Sequence, residues 1–584
     1  MYGNLVDLLQ MNVKENPDFT LFRVLEKDEI TKITYGEFYR LVLQAAGGMR
    51  DAGVKPNDRV ILCSENRYEW FIGLEASFLL GAVAVPLYAT ASPEQQQFIV
   101  KDCSATFGFF SKRSHYDKIA EYAERHCHKS VVFDLEKSDS TLLSLADFLE
   151  SATPLPADEK GVNGNDDTAV LIYTSGTTGE PKGVMLSHKN ILANVEMLVP
   201  VVDHIPQFDY LSLLPLSHAY EFAVLQTVIR RRGSIAPVKV MAKVLDYIQK
   251  LEPNVACAVP RLFEKIYNSV TQKVRKGSPL VARMFADGIA IGEQYYDRIE
   301  SGQALPLIPG LKFSFYRNIV FNKIRRKTVN SIDLFISGGA ALQPEIAQFF
   351  NTIGTTIIEG YGITECSPVV SCNLYNDKEI GTVGAPLTGV ELKLTDEKEL
   401  LVRGDLVMNG YYNKPEETKE VLDKDGWFHT GDLAEFSESG KIKIIGRIKE
   451  IIVLASGKNI APTKMENRIK ASAFVDQICV VGDNQKYLGA LIIPEFSELK
   501  LFAKEQGFSY KSDEDLVKNS AVLSLFKQLV SDANKTFESY EMIKEFRLVP
   551  IPCSVENGEL TPTMKVRRRV VSERYKDVIE SLFM

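Results

Sequence analysis

One short stretch of the chain combines glycine, hydroxyl and lysine residues between two apolar runs. It reads IYTSGTTGEPKGVMLSH over residues 172–188. Backbone amides exposed at glycines and the hydroxyls of serine and threonine can surround the oxygens of a polyphosphate, and lysine adds positive charge. The sequence therefore predicts a phosphate-binding loop, whose members are Thr174, Ser175, Gly176, Thr177, Thr178, Gly179 and Lys182.

The spacing within this loop differs from that of the P-loop NTPases. Those proteins need G-x-x-x-x-G-K-[ST] between a strand and a helix, so that the amides at the helix start meet the phosphates. Here Lys182 comes three residues after Gly179, and it is followed by Gly183 instead of serine or threonine. The segment after the loop is strand-like, with Ser187 as the N-cap of a later helix, which predicts a turn between strands. Two alternatives stay open: a mobile surface turn, and a kinase or NTPase that releases ADP.

Further motifs follow the loop along the chain. They are SGGA (337–340), EGYGITE (359–365), GWFHTGD (426–432), GRIKEIIVLASGKNIAP (446–462) and LTPTMK (560–565). Together with YTSGTTGEPKGV they resemble the signatures of the adenylate-forming superfamily of acyl-CoA synthetases, luciferases and peptide-synthetase adenylation domains. The resemblance covers essentially the whole chain. It implies that a carboxylate attacks the α-phosphorus of ATP to give acyl-AMP and pyrophosphate, and that a thiol then displaces AMP.

The resemblance also implies which residues hold ATP. The loop from Thr174 to Lys182 would hold the β- and γ-phosphates, and Thr364 would contact the α-phosphate. Glu365, together with Thr174, would ligate Mg²⁺, a hard cation that prefers oxygen ligands. Tyr361 would stack on the adenine. The other residues of this nucleotide-binding segment are Gly338, Gly339, Ala340, Glu359, Gly360 and Gly362.

The resemblance also implies roles for the later motifs. They would bind the ribose, contact the reacting groups and allow the change between the two steps. Asp432 would accept hydrogen bonds from the ribose hydroxyls, with Arg447 assisting. Lys565 matches the family lysine that bridges the carboxylate and the α-phosphate. Lys449 would be the hinge, where many relatives carry aspartate. Rotation there would withdraw Lys565 and bring the segment around Gly457 to the active site for thioester formation.

Each of these residues also has a structural alternative when taken singly. Tyr361 could be a core aromatic residue, Asp432 a turn residue and Glu365 a surface charge. Only the ordered set of motifs favours the nucleotide-binding roles over these alternatives.

The resemblance is greatest to the long-chain fatty acyl-CoA synthetases. VPRLFEKIY (259–267), the long helical segment after it, FISGGAAL and LTPTMK carry this similarity. His218, in LPLSHAYE (214–221), would contact the substrate carboxylate, or would be a satisfied histidine at a strand end. The leading hypothesis is ATP-dependent ligation of a long-chain fatty acid to coenzyme A. The alternatives are transfer of the acyl group to acyl carrier protein, and a nucleotide-binding scaffold without activity.

The elements that must position these residues alternate along the first two-thirds of the chain. Short apolar runs such as RVILCS (59–64), TAVLIYTS and TTIIEGYG are separated by segments of helical length. This alternation predicts an α/β fold with layered, mostly parallel sheets. Residues 255–338 form a mostly helical stretch, and from about residue 381 the pattern is that of small antiparallel sheet.

The resemblance and this pattern together predict two domains. Residues 1–448 form a large N-terminal adenylation domain with a small β-rich subdomain at about 381–446. Residues 449–584 form a small, mobile C-terminal α+β domain.

Composition sets the expected partners and location. The 584 residues carry a net charge of −8, which argues against nucleic-acid binding. ATP, Mg²⁺ and coenzyme A are the expected cofactors and co-substrates, and a homodimer is an open expectation. The sequence predicts a cytoplasmic protein. Peripheral contact with a membrane fits a fatty substrate, but no anchor and no clearly basic amphipathic helix is evident.

Overall fold

The computed structural model describes residues 3–174, 180–300, 307–554, 557–561 and 566–584. The chain divides into two compact units. Unit 1 comprises residues 1–393, 401–430 and 436–443, and unit 2 comprises residues 394–400, 431–435 and 444–584. The segment 381–446 contributes residues to both units. The domain boundary and the hinge at Lys449 stay predictions.

The described strands up to residue 411 belong mainly to unit 1. They are β1 (Thr20–Glu26), β2 (Glu29–Thr34), β3 (Arg59–Cys63), β4 (Val83–Leu87), β5 (Phe107–Phe110), β6 (Lys129–Val132), β7 (Leu143–Ser144), β8 (Thr168–Thr174), β9 (Lys182–Ser187), β10 (Asp209–Ser212), β11 (Ser234–Pro237), β12 (Val255–Ala258), β13 (Leu334–Ser337), β14 (Thr356–Gly362), β15 (Val369–Cys372), β16 (Ala385–Pro386), β17 (Glu391–Leu394), β18 (Glu399–Arg403) and β19 (Gly410–Tyr411).

Most of these strands form two mixed sheets. One has the order β16-β15-β14-β13-β12-β10-β11-β1-β2, and the other has the order β19-β9-β8-β4-β3-β5-β6-β7. In the first sheet β14, β13, β12, β10, β11 and β1 run parallel, and in the second β8, β4, β3, β5, β6 and β7 do. The antiparallel strands lie toward the edges. The predicted α/β class with mostly parallel sheet is therefore confirmed.

Helices connect the strands of unit 1. They are α1 (Val6–Glu15), α2 (Tyr35–Asp51), α3 (Tyr68–Leu79), α4 (Pro93–Asp102), α5 (Arg113–Tyr116), α6 (Ala120–His126), α7 (Leu145–Ser151), α8 (His188–Val202), α9 (Ala219–Arg230), α10 (Val244–Leu251), α11 (Pro260–Arg275), α12 (Pro279–Glu300), α13 (Leu307–Tyr316), α14 (Asn322–Lys327), α15 (Pro344–Ile353) and α16 (Pro415–Val421). The start of α2 shows why the sequence folds locally in this way. The Thr34 hydroxyl accepts from the Glu37 amide, and the Glu37 carboxylate accepts from the Thr34 amide, so the cap satisfies two backbone donors.

The helical stretch before β13 includes a hairpin of α12 and α13. Two glycines of α12 allow the close approach. A β-carbon at Gly288 would lie 2.8 Å from the Phe321 ring, and one at Gly292 would lie 2.5 Å from Thr352 and 3.2 Å from the Phe313 ring. Phe313 and Phe321 are buried in the core of unit 1. The predicted helical character is confirmed over the described part of this stretch.

The remaining elements lie mainly in unit 2. They are β20 (Phe428–Phe436), β21 (Ile442–Arg447), β22 (Ile452–Val453), β23 (Asn459–Ile460), α17 (Thr463–Lys470), β24 (Val475–Val481), β25 (Leu488–Pro494), α18 (Phe496–Gln506), α19 (Asp513–Lys518), α20 (Ser520–Asn534), β26 (Ile543–Leu548), α21 (Arg568–Arg574) and α22 (Lys576–Glu580). Strands β24, β25 and β26 form a sheet, with its own core against α17, α18 and α20. The predicted α+β character of the C-terminal part is confirmed.

Two further observations concern the cysteines and the apolar character of the helices. All eight cysteines lie among the described residues and are free thiols. In the described part of the chain, no helix combines the length and the apolar character needed to cross a membrane.

Candidate active site

The ends of the predicted phosphate loop lie opposite each other in a strand pair. β8 ends at Thr174, β9 begins at Lys182, and these residues are antiparallel partners. The next helix, α8, starts after Ser187, whose hydroxyl accepts a hydrogen bond from the Asn190 amide. The predicted strand–loop–strand arrangement is confirmed, and it differs from the strand–loop–helix cradle of P-loop NTPases. Outside the described residues lie Ser175, Gly176, Thr177, Thr178 and Gly179.

Tyr411 connects the end of this loop to the predicted magnesium ligand. The Lys182 ammonium nitrogen lies 5.0 Å from the centre of the Tyr411 ring. The Tyr411 hydroxyl donates a 2.8 Å hydrogen bond to Oε1 of Glu365. Burial, and then the charge of Glu365, raises the pKa of Tyr411 far above its ordinary value, so the hydroxyl keeps its proton and remains a donor. One neutral side chain thus lies between the loop lysine and the carboxylate of the EGYGITE motif.

Backbone pairing holds Tyr411 in this position. β19 pairs with β9, which places Tyr411 opposite Val184, and the Met408 amide donates 2.8 Å to the Glu365 carbonyl. Sequence reasoning missed Tyr411. Its surroundings, MNGYYNKP, carry a turn signal but no link to the loop. The contact joins Tyr411 to a residue 46 positions away in the chain, so no local pattern could have found it.

Thr364 and Glu365 begin a short 3-10 helix, Thr364–Cys366, directly after β14. The Glu365 side chain is buried and Thr364 is half-buried. The turn that follows is fixed from the other side, because Ser367 adopts a φ of +66° and its hydroxyl donates 2.7 Å to the Leu406 carbonyl. The surface-charge alternative for Glu365 is wrong, since its carboxylate is buried against Tyr411.

The glycines of the EGYGITE motif allow close strand packing. Gly360 lies opposite Cys372 and Gly362 opposite Val369 in the β14–β15 pair. A β-carbon on Gly362 would lie 2.4 Å from the Pro368 carbonyl oxygen. Tyr361, between the two glycines, is half-buried against the main core of unit 1. Its stacking on adenine stays a prediction.

Glu359 has a structural contact that the sequence does not indicate. Its buried carboxylate accepts a 3.0 Å hydrogen bond from the Leu342 amide. Burial raises the pKa of Glu359 to about 7. The contact connects β14 to the segment after β13, where Gly339, with a φ of +84°, and Ala340 are exposed. Glu359 therefore helps to hold the SGGA segment beside β14.

His218 and Gly338 meet at a single tyrosine. His218 caps α9, and its Nδ1 accepts a 3.2 Å hydrogen bond from the Tyr220 amide. The Tyr220 hydroxyl donates 3.1 Å to the Ile336 carbonyl, and a β-carbon on Gly338 would lie 2.9 Å from the Tyr220 ring. The structure thus gives His218 a capping role. Its contact with a substrate carboxylate stays a prediction.

A buried carboxyl group follows His218 in α9. Glu221 accepts hydrogen bonds from the hydroxyls of Tyr210 at 2.8 Å and Ser212 at 2.5 Å. Asn66 donates 2.7 Å to the Leu214 carbonyl in the same region. Burial raises the pKa of Glu221 to about 8, so this group is mostly protonated at neutral pH. The LPLSHAYE segment is therefore anchored from within the core.

In unit 2, the predicted ribose ligands form an ion pair. Arg447, at the end of β21, donates through Nε to Oδ1 of Asp432 at 2.6 Å and through Nη2 to Oδ2 at 3.5 Å. The Asp432 side chain is 5% exposed and the Arg447 side chain 44% exposed. Asp432 lies within β20, so the turn-residue alternative is wrong. The structure brings these two predicted residues together.

The predicted hinge and thioester residues also lie in unit 2. Lys449 is exposed in a 3-10 helix, Ile448–Glu450. Gly457 has a φ of +80° in the turn between β22 and β23, a conformation that glycine adopts without strain. Lys565 lies outside the described residues.

The described geometry suits a nucleotide and a hard cation. Around β9 and β14 it places a lysine, hydroxyls and a buried carboxylate within one unit. The carboxylate and hydroxyl oxygens are ligands that Mg²⁺ accepts, and the ammonium group suits phosphate oxygens.

Comparison with known families gives two matches in chain order. Residues 9–412 match the AMP-binding enzyme family, and residues 449–584 match the AMP-binding enzyme C-terminal domain. The chain belongs to the AMP-binding enzyme family. The resemblance found in the sequence motifs is thereby confirmed.

Similar proteins agree with this assignment. The AMP-binding enzyme is 33% identical over 599 residues to the long-chain-fatty-acid–CoA ligase FadD15 of Mycobacterium bovis, covering 100% of this chain and 97% of that protein. It is 28% identical over 620 residues to the chloroplastic long-chain-fatty-acid–[acyl-carrier-protein] ligase AEE15 of Arabidopsis thaliana, covering 95% and 83%.

A solved structure shares the fold. The crystal structure of the adenylation domain of a carboxylate reductase from Mycobacterium chelonae superposes with a TM-score of 0.81 at 22% identity, covering 99% of this chain and 91% of that one. The predicted adenylate-forming fold is confirmed.

Proposed function

We propose that this AMP-binding enzyme activates a long-chain fatty acid with ATP and transfers the acyl group to coenzyme A. The observation that carries the proposal is the similarity, along the whole chain, to a protein named long-chain-fatty-acid–CoA ligase. In the first step a carboxylate oxygen of the fatty acid attacks the α-phosphorus of ATP, giving acyl-AMP and pyrophosphate. In the second, the coenzyme A sulfur, having lost its proton, attacks the acyl carbon and AMP leaves.

The surroundings of Glu365 support a role in phosphate binding. Its carboxylate accepts a hydrogen bond from the neutral Tyr411 hydroxyl, and oxygen is the donor that Mg²⁺ prefers. Glu365 and Thr174 would hold Mg²⁺, which when bound neutralises charge on phosphate oxygens. Lys182 would direct positive charge at the β- and γ-phosphates. Thr364 would donate to the α-phosphate.

The nucleoside would use further residues of the family motifs. Tyr361 stacks on the adenine in this proposal, and the small residues Gly338, Gly339 and Ala340 line the other wall. Asp432 accepts hydrogen bonds from the ribose hydroxyls. Its ion pair with Arg447 supports this role, because the arginine fixes the orientation of the carboxylate.

Lys565 would divide the reaction into its two halves. It bridges the substrate carboxylate and the α-phosphate during adenylation, and rotation at Lys449 then exchanges it for the segment around Gly457. We expect Lys565→Ala to lose nearly all acyl-AMP formation while keeping thioester formation from supplied acyl-AMP. Arg569→Ala, at an exposed position paired with Glu573, is the matched control and should keep both activities. Equal loss in both half-reactions would contradict the role.

Fatty-acid-dependent exchange between ATP and pyrophosphate tests the proposed reaction directly. The panel of acids should run from acetate through medium chains to stearate. We expect exchange to depend on the long-chain acids, with AMP as the nucleotide product. Exchange with acetate but not with the long chains would overturn the substrate class. Release of ADP would instead point to phosphoryl transfer to the substrate.

Acyl carrier protein is the second candidate acceptor. The similarity to a long-chain-fatty-acid–[acyl-carrier-protein] ligase favours testing it. The enzyme should be given acyl-AMP with either coenzyme A or holo acyl carrier protein in matched amounts. We expect the coenzyme A thioester to form faster. Carrier loading without acyl-CoA formation would favour the second candidate.

Location and assembly follow from the substrate only as predictions. A cytoplasmic location with peripheral contact at a membrane suits an enzyme whose fatty acid partitions into bilayers. The homodimer also stays a prediction.

A further inference from the structure

The segment between β10 and α9, which ends at His218, is held at Leu214 from two sides. The Leu214 carbonyl accepts a 2.7 Å hydrogen bond from Nδ2 of Asn66, and the Leu214 amide donates to the carboxyl group of Glu221. Asn66 is 7% exposed and Glu221 is fully buried. Side chains therefore bind both backbone groups of one residue in this loop. We call Asn66, Leu214 and Glu221 the Leu214 clip.

The clip joins the two large sheets at the carboxyl ends of their strands. Asn66 follows β3 in the second sheet, whereas Ser212 ends β10 in the first sheet and Leu214 follows it. The Ser212 carbonyl accepts a 3.2 Å hydrogen bond from Asn66, and the Ser212 hydroxyl donates to Glu221 at 2.5 Å. The first sheet carries the SGGA and EGYGITE motifs, and the second carries both ends of the phosphate loop. The clip thus connects the two sheets that carry the parts of the candidate site.

The far end of the segment lies beside the SGGA motif. His218 is partly exposed at the start of α9, whereas Leu216 and Ser217 before it are buried. Shortly after His218, the Tyr220 ring lies so close to Gly338 that a β-carbon there would be 2.9 Å from it. Because the loop between Leu214 and His218 is short and largely buried, a displacement at the clip would be passed on to His218.

Glu221 lies among side chains that carry no charge at neutral pH. The groups that face it come from β10, α9 and β12, and they are Tyr210, Ser212, Tyr220 and Cys257. Burial raises the pKa of both tyrosines and of Cys257 far above neutrality. In the described part of the chain, Glu221 has no ion-pair partner. A buried carboxyl group costs free energy when it is ionised without a partner, so its presence at this point indicates a functional role.

We propose that Glu221 and Asn66 are positioning residues for the carboxylate of the fatty acid. They hold Leu214, and through it they hold His218 where the proposed function requires it. A protonated Glu221 provides hydrogen bonds to the segment without adding a negative charge near the substrate carboxylate, whereas an ionised Glu221 would repel that carboxylate. The inference rests on the proposed function, because the contact between His218 and the substrate is part of it.

The pH dependence of KM for the fatty acid tests the role of Glu221. The assay is fatty-acid-dependent exchange between ATP and pyrophosphate at saturating ATP, with the long-chain acid that the unmodified protein uses best. Coenzyme A is left out, because its thiol would titrate in the same pH range. For the unmodified protein we expect KM for the acid to rise by about tenfold between about pH 7 and about pH 9, as Glu221 ionises. Glu221→Gln should have the same KM as the unmodified protein at about pH 7 and should lack the rise.

Glu75→Gln is the matched control for this variant. Glu75 is 2% exposed, and burial raises its pKa to about 8, as it does for Glu221. Glu75 also contacts α9, through Gln226 at 3.5 Å. We expect Glu75→Gln to keep the rise in KM. Loss of the rise in both variants, or a rise that persists in Glu221→Gln, would overturn the role of Glu221.

Asn66→Ala tests the positioning itself. The change removes the donor to the Leu214 carbonyl, so we expect KM for the fatty acid to rise by about tenfold while KM for ATP changes by less than about twofold. Ser212→Ala is a milder change, because it removes only one donor to the Glu221 carboxyl group, and it should raise KM for the acid by a smaller factor.

Asn163→Ala is the matched control for Asn66→Ala. Asn163 is a second buried asparagine, and it donates a 2.9 Å hydrogen bond to the Gly81 carbonyl. Its variant should lower the thermal unfolding midpoint without changing KM for the acid or for ATP. Equal changes of both KM values in Asn66→Ala and Ser212→Ala would indicate a general loss of packing and would overturn the positioning role.

The assay also separates this inference from the proposed function. Exchange by the unmodified protein that responds to none of the variants would overturn the inference alone. If the unmodified protein catalyses no exchange with any acid, the proposed function is wrong and the inference falls with it.

Discussion

Two predicted ligand carboxylates, Glu365 in unit 1 and Asp432 in unit 2, are both buried but have different hydrogen-bond donors. The Glu365 carboxylate accepts a hydrogen bond from the neutral hydroxyl of Tyr411, which has a much raised pKa. The Asp432 carboxylate is paired with the guanidinium of Arg447. A neutral donor orients a carboxylate without cancelling its charge, whereas an arginine does both. A carboxylate held by a neutral donor is therefore suited to bind a cation. A carboxylate paired with an arginine is suited to accept hydrogen bonds from a neutral group such as a ribose hydroxyl.

Among the variants that test this comparison, we expect Glu365→Gln to have the largest effect. The amide keeps the size of the side chain but removes the charge that would hold Mg²⁺. We expect the rate of fatty-acid-dependent pyrophosphate exchange to fall by roughly 100-fold or more. The measurement is exchange as a function of Mg²⁺ concentration. If the variant keeps full exchange activity at the usual Mg²⁺ concentration, Glu365 is not a Mg²⁺ ligand.

Asp432→Asn should have a smaller effect, and in a different parameter. The change leaves Arg447 without its charge partner and weakens acceptance from the ribose. We expect KM for ATP to rise by about 10- to 100-fold, with the dependence on Mg²⁺ unchanged. Steady-state kinetics at several ATP concentrations checks this. A shift in Mg²⁺ dependence like that of Glu365→Gln would remove the distinction between the two carboxylates.

Tyr411→Phe tests the neutral donor itself. The ring beneath Lys182 stays, but the 2.8 Å hydrogen bond to Glu365 is lost. We expect the Mg²⁺ concentration for half-maximal exchange to change by about tenfold, since partners of a metal ligand tune its affinity. Tyr412→Phe, at the next position, is the matched control. The same shift in both variants would contradict a specific role for the Tyr411 hydroxyl.

Glu75 extends the comparison to a buried carboxyl group that is mostly protonated, and therefore uncharged, at neutral pH. It lies in α3, is 2% exposed, and receives a 3.5 Å contact from Gln226. Burial raises its pKa from 4.5 to about 8. Below pH 4.5 both the folded and the unfolded chain carry this proton, and Glu75 does not reduce the free energy of unfolding. That free energy falls as the pH rises from 4.5 toward 8, because the unfolded chain loses the proton first.

Glu75→Gln should therefore stabilise the protein at high pH and leave the reaction unchanged. We expect the thermal unfolding midpoint of the variant to exceed that of the unmodified protein at pH 8, by an amount that shrinks toward pH 5. The gain corresponds to a few kcal/mol of unfolding free energy at most. A gain that is independent of pH would show that packing, not ionisation, is responsible.

The fold could largely be predicted from the sequence because its signals are local. The runs at 59–64 and 168–174 are short, apolar and separated by helical lengths, and they form β3 and β8. The placement of Lys182 relative to Gly179 excluded a P-loop, and β9 is the strand that this reasoning requires. Ser187 is the predicted cap of α8.

The connections within the candidate site could not be predicted in the same way. Tyr411 meets Glu365 across 46 positions, and Glu359 holds the Leu342 amide, through strand pairings that no local pattern specifies. The capping role of His218 depends on where α9 begins.

The packing of α13 and of the turn Arg317–Phe321 after it could not be predicted for a related reason. Apolar residues occur on both sides of this segment, because it contributes Phe313 and Phe321 to the core and leaves Leu311 and Phe315 exposed. An apolar residue in this segment could therefore not be assigned to either side before the packing was known.

Gly288 and Gly292 have an evolutionary consequence. Because the rings of Phe321 and Phe313 come within 2.8 and 3.2 Å of where their β-carbons would be, the inward side of the hairpin tolerates few substitutions. The outward side is less restricted at Leu311, Phe315 and Ile319, because these side chains are exposed. Mutations can therefore change the outer residues while the contacts on the inner side stay the same. Descendants of this chain could acquire new surface preferences without changing how the interior packs.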